Sequence, residues 1–166
     1  KCYKNSAIEA AVKKAGGKMV PGHTESYYQE VSIPEGKVLK TTKEHELVLE
    51  SDVYINVPVL KSHSSTKLSI AMKNLMGAVW DRGYWHRNDL HQCIADYVTH
   101  RPPDLNIVDA YRVMKQNGPR GVSVDDVLEF FDRTEHVVLE ARRAARQDQS
   151  GVVRPGTVRV LRHDLL

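Results

Sequence analysis

The sequence predicts an α/β fold in which a mixed or mostly parallel sheet is flanked by helices. Two short runs, residues 53–60 and 105–110, are mostly apolar, as in strands that are covered on both faces. Elsewhere, apolar residues recur at helical spacing over residues 6–15, 68–76 and 90–98. Apolar runs that alternate with helical stretches are typical of parallel strands joined by crossover helices.

The beginning of the chain is less regular than its centre. Residues 6–15 predict a helix with one apolar face, and the glycine pair that follows marks its end. Residues 18–21 predict a short strand. Residues 22–36 predict mostly loop, because glycine and proline stand among polar side chains there. Residues 37–49 are ambiguous, since they fit either a strand or one or two helical turns.

The apolar run at residues 53–60 is predicted to lead through a polar turn into a helix. Ser64, Ser65 and Thr66 would cap that helix, and Gly77 would end it. The end of the strand and the beginning of the helix would then meet at a basic turn. Such junctions are where α/β proteins most often bind anions, because the first helical N–H groups are unpaired and the helix dipole is positive there.

The elements that follow alternate between turns and regular structure. Residues 80–87 (WDRGYWHR) predict an aromatic and charged loop, and Asn88 is predicted to cap the next helix. Residues 105–110 predict the second buried strand, and residues 117–119 (NGP) predict a turn. Residues 123–126 match a loose capping box ahead of another apolar segment, which predicts a further helix.

We divide the chain into an α/β domain, residues 1–131, and a C-terminal part, residues 132–166, that holds a helix and an arginine-rich tail. All lysines lie at or before Lys115, whereas most arginines lie in the C-terminal part. Within that part, residues 134–146 predict an amphipathic helix and residues 157–161 a short strand. Because the sequence starts without a methionine, we expect a processed, trimmed or excised piece.

Composition excludes several broad classes of protein. The 166 residues are 41% apolar and 27% charged, which is ordinary for a globular chain. No stretch approaches the ~18 consecutive apolar residues of a membrane span, so no membrane partner is expected. A net charge of +3 is too small to indicate nucleic acid as a partner. Cys2 and Cys93 are too few to hold an iron–sulfur cluster, and the low cysteine count favours a reducing, cytoplasmic location.

The basic turn after the first apolar run is the best candidate for a binding site. Lys61, Ser64, Thr66 and Lys67 are predicted to bind an anion such as phosphate or a carboxylate, with hydroxyl and N–H donors beside the lysine charges. Lys73 is basic too, but on the predicted helix it need not point the same way as Lys67. The alternative is a capped helix with a solvated basic side.

Three residues are candidates for catalysis at this site. His63 lies in the same turn, and His91 is a polar residue suited to acid–base chemistry. Asp109 ends the second apolar run, and ligands of open α/β sheets bind beyond the carboxyl ends of strands. Asn74 is predicted to bind a ligand or a neighbouring loop, or else to lie on plain surface.

No metal site is assigned. His86, His91 and Cys93 form an H-x4-H-x-C pattern that could recruit His63 as a further ligand. However, His91 and Cys93 face different directions on a helix. Cys93 stands beside apolar residues, which predicts a buried thiol.

Several motifs, taken in order, resemble those of the domain-of-unknown-function family 362. The family pattern of the type ADV-INVP-LK-H … LKNLMG is matched here by DVYINVPVLKSH and MKNLMG. The downstream matches are LHQ, IADY, LNIVDA and NGP, and the opening CYKNSAIEAAVKKAGGKMV matches the family's upstream helix. The resemblance covers about residues 2–125, whereas the segment after about residue 126 departs from the family's usual continuation. Since the upstream end of the family domain is also missing, the resemblance implies an incomplete copy of a larger domain, whose exposed sheet edge would favour pairing with a second copy.

The resemblance implies a setting rather than a reaction. The activity of the family is not established, but many members carry or neighbour ferredoxin-type modules with four-iron four-sulfur motifs. It therefore implies a redox-associated prokaryotic protein with a ferredoxin-like partner. Because this chain has no ferredoxin cysteine run, its cofactor is left unknown. An iron–sulfur cluster is expected only through a partner or a missing module.

Our leading hypothesis is an α/β protein that binds a small anionic ligand in a redox-linked process, and whether it is an enzyme is left open. A second hypothesis is a protein–protein interaction module, in which residues 80–87 dock a partner or a second copy of the chain. A weaker alternative is that this segment binds nucleic acid, whose bases would stack on its aromatic and arginine side chains. A third hypothesis is an inactive truncated remnant.

Overall fold

A computed structural model describes residues 2–129 and the backbone of residues 158–161. Short helical turns of the 3-10 type stand at Glu25–Tyr27, Leu75–Ala78 and Val124–Asp126. The helices and strands of these residues follow one another in this order: α1 Cys2–Asn5, α2 Ile8–Lys14, β1 Tyr28–Ser32, β2 Thr41–His45, α3 Glu46–Leu49, β3 Val53–Asn56, β4 Val59–His63, β5 Lys67–Ser69, α4 Ala71–Asn74, α5 Arg82–Arg87, α6 Leu90–His100, β6 Leu105–Asn106, β7 Asp109–Met114, β8 Val127–Glu129 and β9 Val158–Leu161.

The strands of the described residues form three sheets. Strands β1 and β2 pair antiparallel, and β6, β3 and β9 form a parallel sheet with β3 in the middle. The third sheet has the order β5-β4-β7-β8, in which β4 and β7 are parallel and the two outer pairs are antiparallel. The α/β prediction with mixed and parallel sheets is therefore confirmed.

Each apolar run predicted as one strand is two strands in two sheets. Residues 53–60 divide into β3 and the beginning of β4, and residues 105–110 divide into β6 and the beginning of β7. The break falls at Pro58, which has no N–H to donate to a ladder. The two segments cross from one sheet to the other side by side, and the Pro58 carbonyl accepts the Asp109 N–H at 2.8 Å.

The other predictions for single elements meet mixed outcomes. The first helix and the last strand are confirmed as α2 and β9. Residues 37–49 contain both alternatives, a strand followed by a short helix. The prediction of loop over residues 22–36 is wrong for β1, and no strand forms at 18–21. The capping box at residues 123–126 is confirmed, but it caps the 3-10 turn Val124–Asp126, and strand β8 follows in place of a longer helix. The cap of α6 is Asp89 and not Asn88.

The C-terminal predictions lie largely outside the described residues. The helix expected at residues 134–146 falls there, as does most of the arginine-rich tail. Strand β9, which comes from that part of the sequence, pairs in parallel with β3. The division into residues 1–131 and 132–166 stays a prediction.

The strand-to-helix junction after residue 60 does not exist in the predicted form. Strand β4 turns back on itself to pair antiparallel with β5, and His63 is opposite Lys67. Ser64, Ser65 and Thr66 therefore form the turn of a hairpin, and the next helix begins only at Ala71. Of the residues predicted to form this helix, only those from Ala71 onward are helical, in α4 and the 3-10 turn that ends at Ala78.

The apolar core lies between α6, the turn that follows α4, and the segment around β2. Trp85 is 1% exposed and packs against Tyr97 with ring centroids 5.4 Å apart. Its burial contradicts the expectation of an exposed aromatic loop at residues 80–87, most of which form α5. Cys93 is fully buried, as predicted. The remaining core members are Ile33, Leu39, Val48, Tyr54, Leu75, Met76, Ala78, Val79, Leu90 and Ile94.

Buried carboxylates tie loops and strands to α6. Glu44, which is fully buried, accepts hydrogen bonds from the Tyr97 hydroxyl and, at 2.9 Å, from His100 Nε2. Asp96 accepts the backbone N–H groups of Val38 at 2.7 Å and Leu39 at 2.8 Å. Burial raises the pKa of Asp96, but the N–H groups of residues 37–39 and the amide of Gln92 outweigh it and lower the pKa to about 2.

Asn56 connects the parallel sheet to α4. Its side-chain Nδ2 donates to Asn106 Oδ1 at 2.7 Å and to the Ala71 carbonyl at 3.1 Å. Its Oδ1 accepts from Asn74 Nδ2 at 2.7 Å. Because Ala71 and Asn74 begin and end α4, this one side chain fixes both ends of that helix against the end of β3.

Within the described residues, no helix has the length and apolar character that crossing a membrane requires.

We predict that Asn56→Ala lowers the free energy of unfolding by about 2–4 kcal/mol. The substitution leaves the Asn74 donor and the Asn106 and Ala71 acceptors without their partner in a buried setting. Urea unfolding followed by circular dichroism measures the change. Asn88→Ala is the matched control, because the exposed Asn88 amide makes a single bond to the Tyr84 carbonyl. Equal losses for the two variants would contradict the role assigned to Asn56.

Candidate functional site

Lys73 is the unusual residue of α4. Its side chain is 6% exposed, although lysine is almost never buried without a partner. Within residues 2–129, no hydrogen bond or ion pair of its side chain exists. Among these residues, Trp85 Nε1 is the side-chain nitrogen that has neither solvent contact nor a hydrogen-bond partner. Lys73 Nζ has no partner either but is not shut off in this way, so it keeps some contact with solvent.

The electrostatic surroundings of Lys73 are positive. Burial lowers the pKa of Lys73 from its ordinary value, and the charges of Lys61 and Arg82 lower it further. Lys61 lies on β4 and Arg82 opens α5. Three separate elements thus bring positive side chains towards the same region.

Two histidines complete this group. The rings of His63 and His86 are stacked, with centroids 6.4 Å apart and 18° between the planes. Burial and then the charge of Lys73 lower the pKa of both, with a smaller effect of Lys61 on His63 and of Arg82 on His86. We call Lys61, His63, Lys73, Arg82 and His86 the cationic cluster.

The hairpin between β4 and β5 fixes the orientation of His63. Its Nδ1 accepts the backbone N–H groups of Ser65 at 3.1 Å and Thr66 at 3.4 Å. Since Nδ1 is an acceptor, the neutral ring carries its proton on Nε2, and Nε2 is the nitrogen left to meet a ligand. A second proton on Nδ1 would displace the two N–H donors.

The turn at residues 117–119 supports the hairpin from outside. The Gly118 N–H donates to Ser62 Oγ at 3.1 Å, and the Ser64 N–H donates to the Gly118 carbonyl at 3.2 Å. The approach is so close that a Cβ on Gly118 would lie 1.8 Å from the Ser62 carbonyl oxygen. The NGP motif therefore has a structural role in holding the hairpin that carries Lys61 and His63.

The structure brings together part of the predicted anion site. Lys61 and His63 belong to the cationic cluster, but Ser64 and Lys67 are exposed at the hairpin turn. The Thr66 hydroxyl donates to the Leu68 carbonyl at 3.0 Å, within the hairpin. Asn74 binds Asn56 and so acts within the fold. The prediction that these residues stand at a helix N-terminus is wrong, because they lie in a hairpin.

The predicted catalytic residues are not assembled in one place by the described contacts. His91 is exposed in the first turn of α6, and the ring beside His63 is that of His86. Asp109 is half-buried at the beginning of β7, where its Oδ1 accepts the Tyr111 N–H at 3.2 Å. The catalytic roles of His63, His91 and Asp109 stay predictions.

The sequence does not predict Arg82, His86 or Lys73 as residues of the anion site. It predicts Arg82 in an aromatic stacking surface and His86 in a metal pattern. The usable signal was Lys73 itself, since it stands in the apolar stretch AMKNLMG, where a solvated lysine is not expected. A hairpin before that stretch returns the chain so that β5 packs against α4, which a continuous helix would exclude.

A separate cavity of about 560 Å³ lies between the β1–β2 pair and α5. None of the cationic cluster lines it, and its charged walls include Glu25, Glu30 and Asp81 as well as lysines. In the part of the chain that the structure describes, no group of three or more histidine, cysteine or carboxylate side chains is arranged to hold a metal ion.

Comparison with known proteins identifies the family. The family model described as Domain of unknown function (DUF362) matches residues 1–130. The chain belongs to this family. A curated relative, the thylakoid-associated protein sll1697 of Synechocystis sp., is 32% identical over 89 residues, which are 49% of this chain and 27% of the relative. The chain thus spans about a quarter of that relative's length. No solved structure matches the chain.

We predict that Lys73→Met raises the pKa of both His63 and His86. After burial, the charge of Lys73 is the largest cause that lowers each of them, and methionine removes the charge while keeping a side chain of similar length. Ring proton shifts followed by NMR against pH give both values. Lys67→Met is the control, since exposed Lys67 is not among the groups that act on either ring. Identical titrations in the two variants would show that Lys73 does not face the histidines.

We also predict that the free energy of unfolding of the ligand-free protein falls on acidification. Because the folded pKa of His63 and of His86 lies below the ordinary 6.5, the unfolded chain binds more protons in that interval. Stability is therefore lost as the pH falls from about 6.5 through the folded pKa values. Urea unfolding between pH 8 and pH 5 measures the slope. A double variant, His63→Gln with His86→Gln, should show a shallower slope, and an unchanged slope would disprove the assignment.

Proposed function

We propose that the chain binds a small anionic ligand, such as phosphate or a carboxylate, at the cationic cluster. The observation that supports this most is Lys73, a buried lysine whose side chain has no hydrogen bond or ion pair within the described residues. A buried charge without a partner costs several kcal/mol as an order of magnitude. An anion placed against it would recover part of that cost.

The neighbours of Lys73 add to the argument for an anion. Lys61 and Arg82 contribute positive charge, and His63 Nε2 supplies a donor. Arginine and lysine together suit a carboxylate or phosphate, since the guanidinium binds oxygens in pairs and the ammonium acts as a point charge. The site sought by sequence at a helix N-terminus is proposed instead at the side of the β4–β5 hairpin.

The redox-linked process and the ferredoxin-like partner rest on the family resemblance alone and stay predictions, as does the cytoplasmic location. Of the two cysteines, Cys93 is buried in the core, away from any role as an exposed cluster ligand.

The interaction-module hypothesis has lost its main support. Trp85 belongs to the segment 80–87 that this hypothesis has docking a partner, but it is 1% exposed and packs in the core. Tyr84, at 40% exposure, is the aromatic side chain of α5 that still faces solvent. We therefore favour ligand binding over docking through residues 80–87.

We predict that sulfate stabilises the wild-type chain and not Lys73→Met. Sulfate keeps its charge near neutral pH, and a bound ligand at a hundred times its Kd adds about 2.7 kcal/mol to the free energy of unfolding. Without ligand, Lys73→Met should unfold at a higher temperature than wild type, because an unpaired buried charge is replaced by an apolar side chain. Thermal unfolding with sulfate and with chloride at equal ionic strength gives both results.

Lys14→Met is the matched control for this experiment. Lys14 is exposed at the end of α2, so its loss should change neither the melting temperature nor the response to sulfate. Equal sulfate responses in wild type and Lys73→Met would mean that sulfate acts as a general salt. The absence of any response to sulfate, phosphate or dicarboxylates in wild type would contradict the proposal and favour an inactive remnant.

A further inference from the structure

We propose that Lys73 is a nucleophilic amine that condenses with the carbonyl group of a small 2-oxo acid to form an imine. This inference rests on the anion site proposed above and adds a reaction to it. The amine is held by a buried stem, keeps contact with solvent, and is not engaged by a described hydrogen bond or ion pair.

Lysine reacts with carbonyl groups only as the neutral amine. Enzymes obtain that form by burying the lysine or by placing another cation beside it. Both conditions are met at Lys73, which is 6% exposed and lies within the electrostatic reach of Lys61 and Arg82. Together they favour loss of the proton in the folded protein.

Within residues 2–129, the charges that act on Lys73 include no carboxylate that would restore its proton. Lys61 and His63 lie on β4, and Arg82 and His86 lie on α5. Helix α6 also packs against α4, but its buried Asp96 is occupied by backbone N–H groups and by Gln92. Protonation of Lys73 is therefore opposed from the hairpin and from α5.

The same surroundings select the substrate class. A 2-oxo acid carries its carboxylate directly beside its carbonyl carbon, so the carboxylate can bind Lys61 and Arg82 while the carbonyl meets Lys73. The lysine nitrogen forms a bond to the carbonyl carbon, and the carbonyl oxygen leaves as water with the two hydrogens of the amine. No oxidant or reductant is consumed. His63 Nε2 is the nitrogen suited to pass a proton to the departing oxygen.

The test traps the imine in the full chain. Wild-type protein is incubated with pyruvate and sodium cyanoborohydride at neutral pH, and the modified lysine is located by peptide mass mapping. We expect the stable adduct at Lys73 in preference to exposed Lys14 and Lys67, and we expect sulfate to slow it. Acetone, which has the carbonyl but no carboxylate, should modify Lys73 more slowly. Lys73→Arg, which keeps the charge, should lose the adduct and retain stabilisation by sulfate.

A ligand-free measurement gives an independent readout. Acetylation of each lysine by acetic anhydride is followed against pH in wild-type protein. Each unit by which a pKa falls raises the free-amine fraction about tenfold below both pKa values. Lys73 should therefore reach half-maximal acetylation at a lower pH than Lys14.

The outcomes separate this inference from the proposed function. If sulfate stabilises wild type but pyruvate modifies no lysine, or modifies exposed lysines and Lys73 alike, the imine inference is overturned and the anion site stands. If Lys73 acetylates with the same pH profile as Lys14, its nucleophilic role is also overturned. If sulfate gives no stabilisation and no adduct forms, both proposals fail.

Discussion

The hydrogen bonds of Asn56 are the constraint on which the arrangement of this molecule depends. A single side chain joins the end of a parallel strand pair to both ends of a four-residue helix. So short a helix has no stability of its own, because nucleation costs more than one turn returns. Lys73 keeps its place because Ala71 and Asn74, on either side of it, are both bonded to Asn56. The two segments that cross between the sheets at Pro58 and Asp109 place the β4–β5 hairpin beside α4.

Buried charge is treated in two different ways in the described residues. The carboxylates of Glu44, Asp96 and Asp126 are all satisfied by several donors, as low-dielectric surroundings require. Lys73 is the contrast, since its side chain has no such partner in residues 2–129 and its charged neighbours repel it. A fold that satisfies its carboxylates so fully has no general tolerance for unpaired charge. An exception such as Lys73 is typical of functional sites, where stability is given up for function.

Sequence patterns predicted the elements that depend on local periodicity and missed those that depend on pairing. The first helix, the helix after residue 89, the buried Cys93 and the α/β class all follow from spacing and burial within one segment. The hairpin at residues 59–69 does not, because Ser-Ser-Thr before apolar residues fits a helix cap and a β-turn alike. Because of that one ambiguity, the sequence predicts the anion site at a helix end, whereas the cationic cluster lies at the side of a hairpin. Arg82 and His86 reach it through tertiary packing, for which one sequence carries no signal.

The two proposals make different demands on the proton of Lys73, and the cluster can meet both only by dividing the work. An anion is held most strongly by charged groups, whereas imine formation needs a neutral amine. Lys61 and Arg82 lie on elements other than α4, so their charge can keep hold of a carboxylate when Lys73 gives up its proton to react. The bound anion offsets part of the repulsion that lowers the pKa of Lys73, and linkage requires the reverse as well: protonation of Lys73 or of the histidines must strengthen anion binding. A ligand that carries its negative charge beside its reactive carbon keeps the two functions within reach of one another. That geometric requirement favours a 2-oxo acid over a phosphate ester whose carbonyl group lies several bonds away from the phosphate.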